Sequence, residues 1–147
     1  MKKKKIITVC SSASFYAQVL EVERELKKLG FQVKIPFTAR IMQKRGDFNV
    51  DNYKTWYKNS ADYKRKAQLM KMHFKKVQDA DAILMVNYDK KGIKGYIGGN
   101  GLMEMALAFH YKKPIYVLNP VDASSPLYEE IMGMFPVFLN GDIAKVV

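Results

Sequence analysis

The stretch Asp79-Ala-Asp-Ala-Ile-Leu-Met-Val-Asn-Tyr-Asp89 constrains this chain more than any other. Its apolar residues, Ala82 to Val86, are continuous and bounded by polar ends. A strand with one wet face alternates apolar and polar residues. An unbroken run belongs to a strand buried on both faces, as in a parallel sheet. Parallel neighbours must be joined by crossovers, usually helices. A second such run, "KKIITVCSS", predicts a first strand over roughly Lys4 to Cys10. After it, Val19, Leu20, Val22, Leu26 and Leu29 recur at helical spacing, with Gly30 as the C-cap. "FQVKIP" reads as a second strand, which completes a βαβ unit.

The rest of the chain continues the alternation. Residues 37–60 lack periodicity and read as irregular, although they are rich in aromatics and cations. "ADYKRKAQLMKMHFKKVQDA" predicts a helix with Leu69, Met72, Phe74 and Val77 facing inward. A helix from Asn100 to about Tyr111 follows the third strand. The strand "PIYVLNP", a short helix over 126–134 and the strand "FPVFLNG" come next. This order predicts an α/β fold: a flavodoxin-like three-layer sandwich with a five-stranded parallel sheet, order 2-1-3-4-5. The length of 147 residues suits one core, and no repeat or Pro/Gly/Ser-rich linker divides it. Residues 1–147 therefore read as a single domain.

Composition narrows the function classes. A lone cysteine, Cys10, excludes an internal disulfide, and no pair stands at metal-ligand spacing, so no metal or cofactor is expected. No apolar run approaches the roughly 20 residues of a membrane span. The basic-then-apolar start is too short for a signal peptide, so the expectation is a cytoplasmic protein. The net charge of +11, from 25 basic and 14 acidic residues, favours phosphorylated or polyanionic ligands. The lysine runs read as solvated faces. Without a nucleic-acid motif, binding to nucleic acid is expected to be non-specific.

In a sheet of this order, ligands bind beyond the carboxyl ends of the strands, at the switch between strands 1 and 3. Those ends carry "CSSAS", "NYD", "LNP" and "LNGD". Ser11, Ser12 and Ser14 offer hydroxyls and helix-start N–H groups to a phosphate, or one of them is simply an N-cap and the rest are filler. Asn87 and Asp89 close strand 3, and Asp89 equally suits a loop-start residue bonded to its own backbone. Gly98, Gly99 and Asn100 open the next helix towards the same crevice. Cys10, inside an apolar strand, reads as a small buried hydrophobe. His73 and His110 read as packing or surface residues. Phe37, Phe48, Tyr53, Trp56 and Tyr57 can stack on a base or anchor a covering loop.

One residue asks for more. In "GGNGLMEMALAF" a single carboxylate, Glu104, stands in what reads as the first turn of an otherwise apolar helix. The helix dipole favours an acid there by about 0.3–1 kcal/mol, which suits an exposed residue better than one between Met103 and Met105. Facing the crevice at a helix N-terminus, Glu104 is expected to stay ionised. It can then attack carbon or steady an oxocarbenium-like centre, as glycosyl transfer requires.

At these residues the chain resembles a known group. "DADAILMVNYDKKGIKGYIGGNGLMEMALAFHYKKPIYVLNP" is similar to the core of the nucleoside 2-deoxyribosyltransferase superfamily, which includes the deoxynucleoside 5′-monophosphate N-glycosidases. The shared pattern is a strand after "AD", a glycine-containing loop, a G-x-x-x-E-x-G/A-x-A helix and "KP" before the fourth strand. Gly99 or Gly101, Glu104, Ala106 and Ala108 carry it here. The resemblance implies that Glu104 is the catalytic nucleophile, that "CSSAS" seats the nucleotide phosphate, and that the protein is a homo-oligomer, commonly a homodimer. Two family acids have no counterpart, since their places fall near His73 and Gly98, and Asp89 lies further back. The function expected is therefore N-glycosidic bond chemistry on a nucleoside or nucleotide, by transfer or hydrolysis. The alternative is a nucleotide-binding or sensing module without turnover.

Overall fold

The first strand, β1 (Ile6–Ser11), lies inside the sheet and is buried along almost its whole length. The computed structural model describes residues 3–147. The first lysine of the "KKKK" run, Lys2, lies outside the described residues. Lys3 to Lys5 are exposed and precede the strand, which starts at Ile6 rather than Lys4. There the Ile6 N–H donates to Asp81 Oδ2 at 2.7 Å. β1 is flanked by β2 (Gln32–Lys34) and β3 (Ala82–Val86). β4 (Ile115–Val117) and β5 (Val137–Phe138) extend the sheet beyond β3. The order is β2-β1-β3-β4-β5 and every pairing is parallel, which is the flavodoxin-like arrangement.

Because side chains alternate across a sheet, each central strand feeds two cores. Ile7, Val9, Leu84 and Val86 pack with Val19, Leu20 and Leu26 of α1 (Tyr16–Lys28). Cys10, Ile83 and Met85 pack on the other face with Val77 of α3 (Tyr63–Asp79), Met105 and Ala108 of α4 (Gly99–His110), and Ile131 of α5 (Tyr128–Gly133). Helices on both faces make three layers.

Two elements differ from the sequence-based expectation. Residues 37–45 form a helix, α2 (Phe37–Arg45), which packs against α1 and α3. Its buried side is only Ala39 and Met42, too few apolar positions to register as a periodic pattern. Gly46 ends it in the left-handed conformation (φ 64°), as a C-cap glycine does. In α3 the buried residues are His73 and Val77, while Leu69, Met72 and Phe74 are only half-buried. The inner stripe runs 69, 73, 77, and the histidine occupies its middle.

Two glycines bring the site together. A Cβ on Gly101 would stand 3.1 Å from Met85 Cε and 3.2 Å from Ile97 Cγ2, so glycine lets α4 lie close on β3. Gly95 (φ 65°) has the Pro120 carbonyl oxygen where a Cβ would sit, 2.0 Å away. That close approach closes the loop between β3 and α4.

Candidate functional site

Beyond the carboxyl end of β1 lies a cavity of about 580 Å³. It occupies the switch point, where the chain leaves β1 towards β2 on one side and later enters β3 on the other. The turn after β1, α2, α3 and the start of α4 all contribute to its wall.

Glu104 lines the cavity and is 7% exposed. It is the sixth residue of α4, one turn further in than expected, and the first turn of that helix holds no acid. The dipole therefore does not account for its position. It belongs to the buried stripe Gly101, Glu104, Met105 and Ala108, while Met103, Ala106 and Phe109 on the other side are exposed. The expectation that it stays ionised is also corrected. Burial pushes its carboxyl up to about 8, against the opposing pull of the Cys10 thiol and the Lys66 ammonium. At neutral pH Glu104 is mostly protonated.

Two buried neighbours stand beside it. His73 Nε2 is 4.0 Å from Glu104 Oε2. Burial, aided by the Lys76 charge, pushes the imidazole down to about 4, so the ring is neutral. Neither ring nitrogen has a hydrogen-bond partner in the protein. The Val9 backbone approaches the ring without meeting hydrogen-bond geometry. Cys10 is fully buried, and burial together with the Glu104 charge raises its thiol. The facing Tyr16 hydroxyl is likewise raised by burial and by Glu104.

The rest of the wall is basic, aromatic and hydroxylic. Lys54, Lys66, Lys90 and Lys91 line the cavity, and Glu104 is the only carboxylate among the described lining residues. Lys66 lies over the Trp56 ring, 5.0 Å from its centroid, and Lys90 over Tyr96 at 5.2 Å. Burial lowers the ammonium pKa of both lysines.

The residues singled out from sequence divide into two groups. Ser11, Ser12, Gly98, Gly99 and Asn100 line the cavity with Glu104. Ser12 has two roles: its Oγ accepts from the Ser14 N–H at 3.4 Å, capping the turn into α1, and from Lys90 Nζ at 2.9 Å. Ser11 Oγ donates to the Ser12 carbonyl at 2.9 Å. Asn100 Oδ1 accepts from Lys66 Nζ at 3.4 Å. Asn87 and Asp89 stand outside the cavity. Asn87 is wholly buried and ties two strand ends: Nδ2 donates to the Gly95 and Asn119 carbonyls, and Oδ1 accepts from the Asn119 N–H. Asp89 is exposed and accepts from the Gly95 N–H at 3.1 Å, the loop-start role. It does not replace a missing acid in the cavity.

Among the aromatics, Phe37, Tyr53 and Trp56 line the cavity, while Phe48 and Tyr57 lie outside it and are exposed. His110 is exposed, as a surface residue should be. The sequence reading missed His73 as a neighbour of Glu104, and missed the four lysines as a set. The 69, 73, 77 spacing carried the first signal. The lysines come from three separate segments and carried none.

A comparison with protein-family models finds no match for this chain, and a comparison with curated proteins finds none either. Among the described residues, no helix is long and apolar enough to cross a membrane.

Proposed function

We propose that this chain binds a phosphorylated nucleoside in the cavity and breaks its N-glycosidic bond, with Glu104 attacking C1′. One observation carries the reading: a single buried carboxylate in a cavity otherwise walled by four lysines, serine hydroxyls and aromatic rings. The lysines and the Ser12 turn suit a phosphate. Trp56, Tyr53 or Phe37 suits a base. The carboxylate suits the cationic character that develops at the anomeric carbon. The resemblance to the nucleoside 2-deoxyribosyltransferase superfamily agrees with these roles, and a homo-oligomer rests on that resemblance alone.

In the reaction, Glu104 first loses its proton to solvent. Its carboxylate oxygen then forms a bond to C1′ as the C1′–N bond breaks. The base leaves with that electron pair and takes a proton from water. A water molecule then attacks C1′ of the glycosyl ester as the bond from C1′ to the Glu104 oxygen breaks; its proton neutralises the hydroxide left by protonating the base, which frees the sugar phosphate and restores the Glu104 carboxylate. A second base in place of water gives transfer.

A second reading has its own support. With Asp89 outside the cavity, no second carboxylate stands ready to protonate a departing base. That favours a nucleotide-binding module in which Glu104 grips sugar hydroxyls.

Incubation with a panel of nucleosides and their 5′-monophosphates, in buffer containing chelator, tests both. Released base is read by chromatography and binding by calorimetry. The expected result is release from at least one monophosphate, at least a hundredfold loss in Glu104→Gln, and weaker binding of the parent nucleoside. Ser12→Glu should weaken monophosphate binding selectively. Binding without release selects the second reading, and absence of both ends the nucleotide assignment.

A further inference from the structure

We propose that Cys10, His73 and Glu104 form a binding site for a thiophilic divalent cation of the Zn²⁺ type. The cysteine sulfur, an imidazole nitrogen and a carboxylate oxygen lie within 4.8 Å of one another. They come from β1, α3 and α4, three packed elements, so the arrangement does not rest on a mobile loop. All three side chains are buried.

His73 supplies the independent observation. It is 6% exposed, it faces this cluster, and both ring nitrogens lack a partner. A buried polar group left unpaired is costly, and native interiors rarely keep one. A cation bonded to Nε2 removes that cost for one nitrogen.

The donor set selects the ion. A thiolate and an imidazole favour Zn²⁺ or Co²⁺ over Mg²⁺ and Ca²⁺, which prefer oxygen. A thiolate and a carboxylate together neutralise a doubly charged ion in a buried place. In a tetrahedral zinc site with bonds of about 2.0–2.3 Å, donors lie about 3.3–3.8 Å apart. The three groups therefore need to close by about 1 Å, within reach of side-chain adjustment. Glu104 and His73 line the cavity, which gives the ion a way in and leaves a fourth position for water or a ligand atom. Binding releases the thiol proton, and the carboxyl proton where present, to solvent.

One consequence rests on the proposed function: a Glu104 carboxylate bonded to a cation is not free to attack C1′. The cation then acts as an inhibitor that competes with the chemistry.

The test is titration of the full chain, stripped of metal, with CoCl₂, then displacement by ZnCl₂. The expected result is one ion per chain, with a thiolate-to-cobalt charge-transfer band and the intense d–d bands of a tetrahedral ion. Cys10→Ser should abolish the charge-transfer band and weaken Zn²⁺ at least tenfold. His73→Gln and Glu104→Gln should each weaken it similarly, and MgCl₂ should not compete. Circular dichroism checks that each variant folds. If Cys10→Ser does not fold, His73→Gln and the wild-type cobalt spectrum decide. No saturable one-to-one binding, or Zn²⁺ held as tightly by the folded variants as by wild type, overturns the site. Equimolar Zn²⁺ should stop base release and chelator should restore it. Metal binding without base release from any substrate leaves the site standing and removes only the proposed reaction. Base release without metal binding does the reverse.

Discussion

At the scale of single residues, Glu104 and His73 are both held in the form that burial prefers, and stability should show it. Glu104 is raised from an ordinary 4.5 to about 8, so between those values the folded chain holds a proton that the unfolded chain has lost. Its contribution falls as pH rises through that window. His73 is lowered from 6.5 to about 4, so its contribution rises with pH between 4 and 6.5 and then stops. The two slopes oppose each other up to about pH 6.5. Above that, Glu104 dominates, and stability should fall by about 1 kcal/mol between pH 6.5 and 8. Urea unfolding in chelator should show this decline in wild type and its absence in Glu104→Gln. An equal decline in both would mean that Glu104 does not carry the linkage. The sequence made Glu104 conspicuous because a charge among apolar residues stands out. His73 was not conspicuous because a histidine on an inner stripe looks the same whether it packs or pairs. Burial, which decides its state, depends on three elements distant in the chain.

At the scale of elements, the strands were legible because β-branched and apolar runs bounded by small polar residues leave little alternative. The flanking α1 was legible from Val19, Leu20, Val22 and Leu26, although Leu29 of the same stripe lies past the helix end and is exposed; the 2-1-3-4-5 order followed from the handedness of crossovers. The helix α2 was not legible, since Ala39 and Met42 are its only buried residues and its neighbours α1 and α3 supply the reason it holds. The placement of α4 rests on a contact that sequence does not reveal. Gly101→Val should force the helix away from Met85 and Ile97, costing about 1–3 kcal/mol by overpacking. The folded fraction should also release base more slowly, because Glu104 moves with the helix. Gly99 meets nothing within 4 Å, so Gly99→Ala should be neutral or stabilise by up to about 1 kcal/mol. Urea unfolding of the two variants side by side checks the contrast. Equal effects would mean that α4 does not depend on the close approach at Gly101.

At the scale of the whole molecule, the net charge of +11 includes two groups of lysines with different consequences. Lys54, Lys66, Lys90 and Lys91 converge on the cavity, where the half-buried Lys66 and Lys90 are less screened than the exposed Lys54 and Lys91. Lys3 to Lys5 stand exposed at the opposite end of β1. A strand of that length spans about 20 Å, more than twice the Debye length of about 8 Å at physiological salt. The tail and the cavity are therefore electrostatically separate. Duplex DNA should bind through the exposed charge outside the cavity, with an affinity of about 10⁻⁴ to 10⁻⁶ M that weakens steeply as salt rises. Replacing the "KKKK" run by serines should lower that affinity and reduce its salt slope. Binding of a nucleoside monophosphate, measured by calorimetry on the same variant, should not change. The converse variant, Lys66→Ala, should weaken the monophosphate and leave DNA nearly unaffected, because Lys66 sits partly buried against Trp56 and Asn100 rather than out in solvent. DNA binding that is sequence-selective and survives high salt, or loss of the monophosphate on removing the tail, would show the two charge sets acting as one. The cavity would then be part of a nucleic-acid surface and not a site for a small ligand.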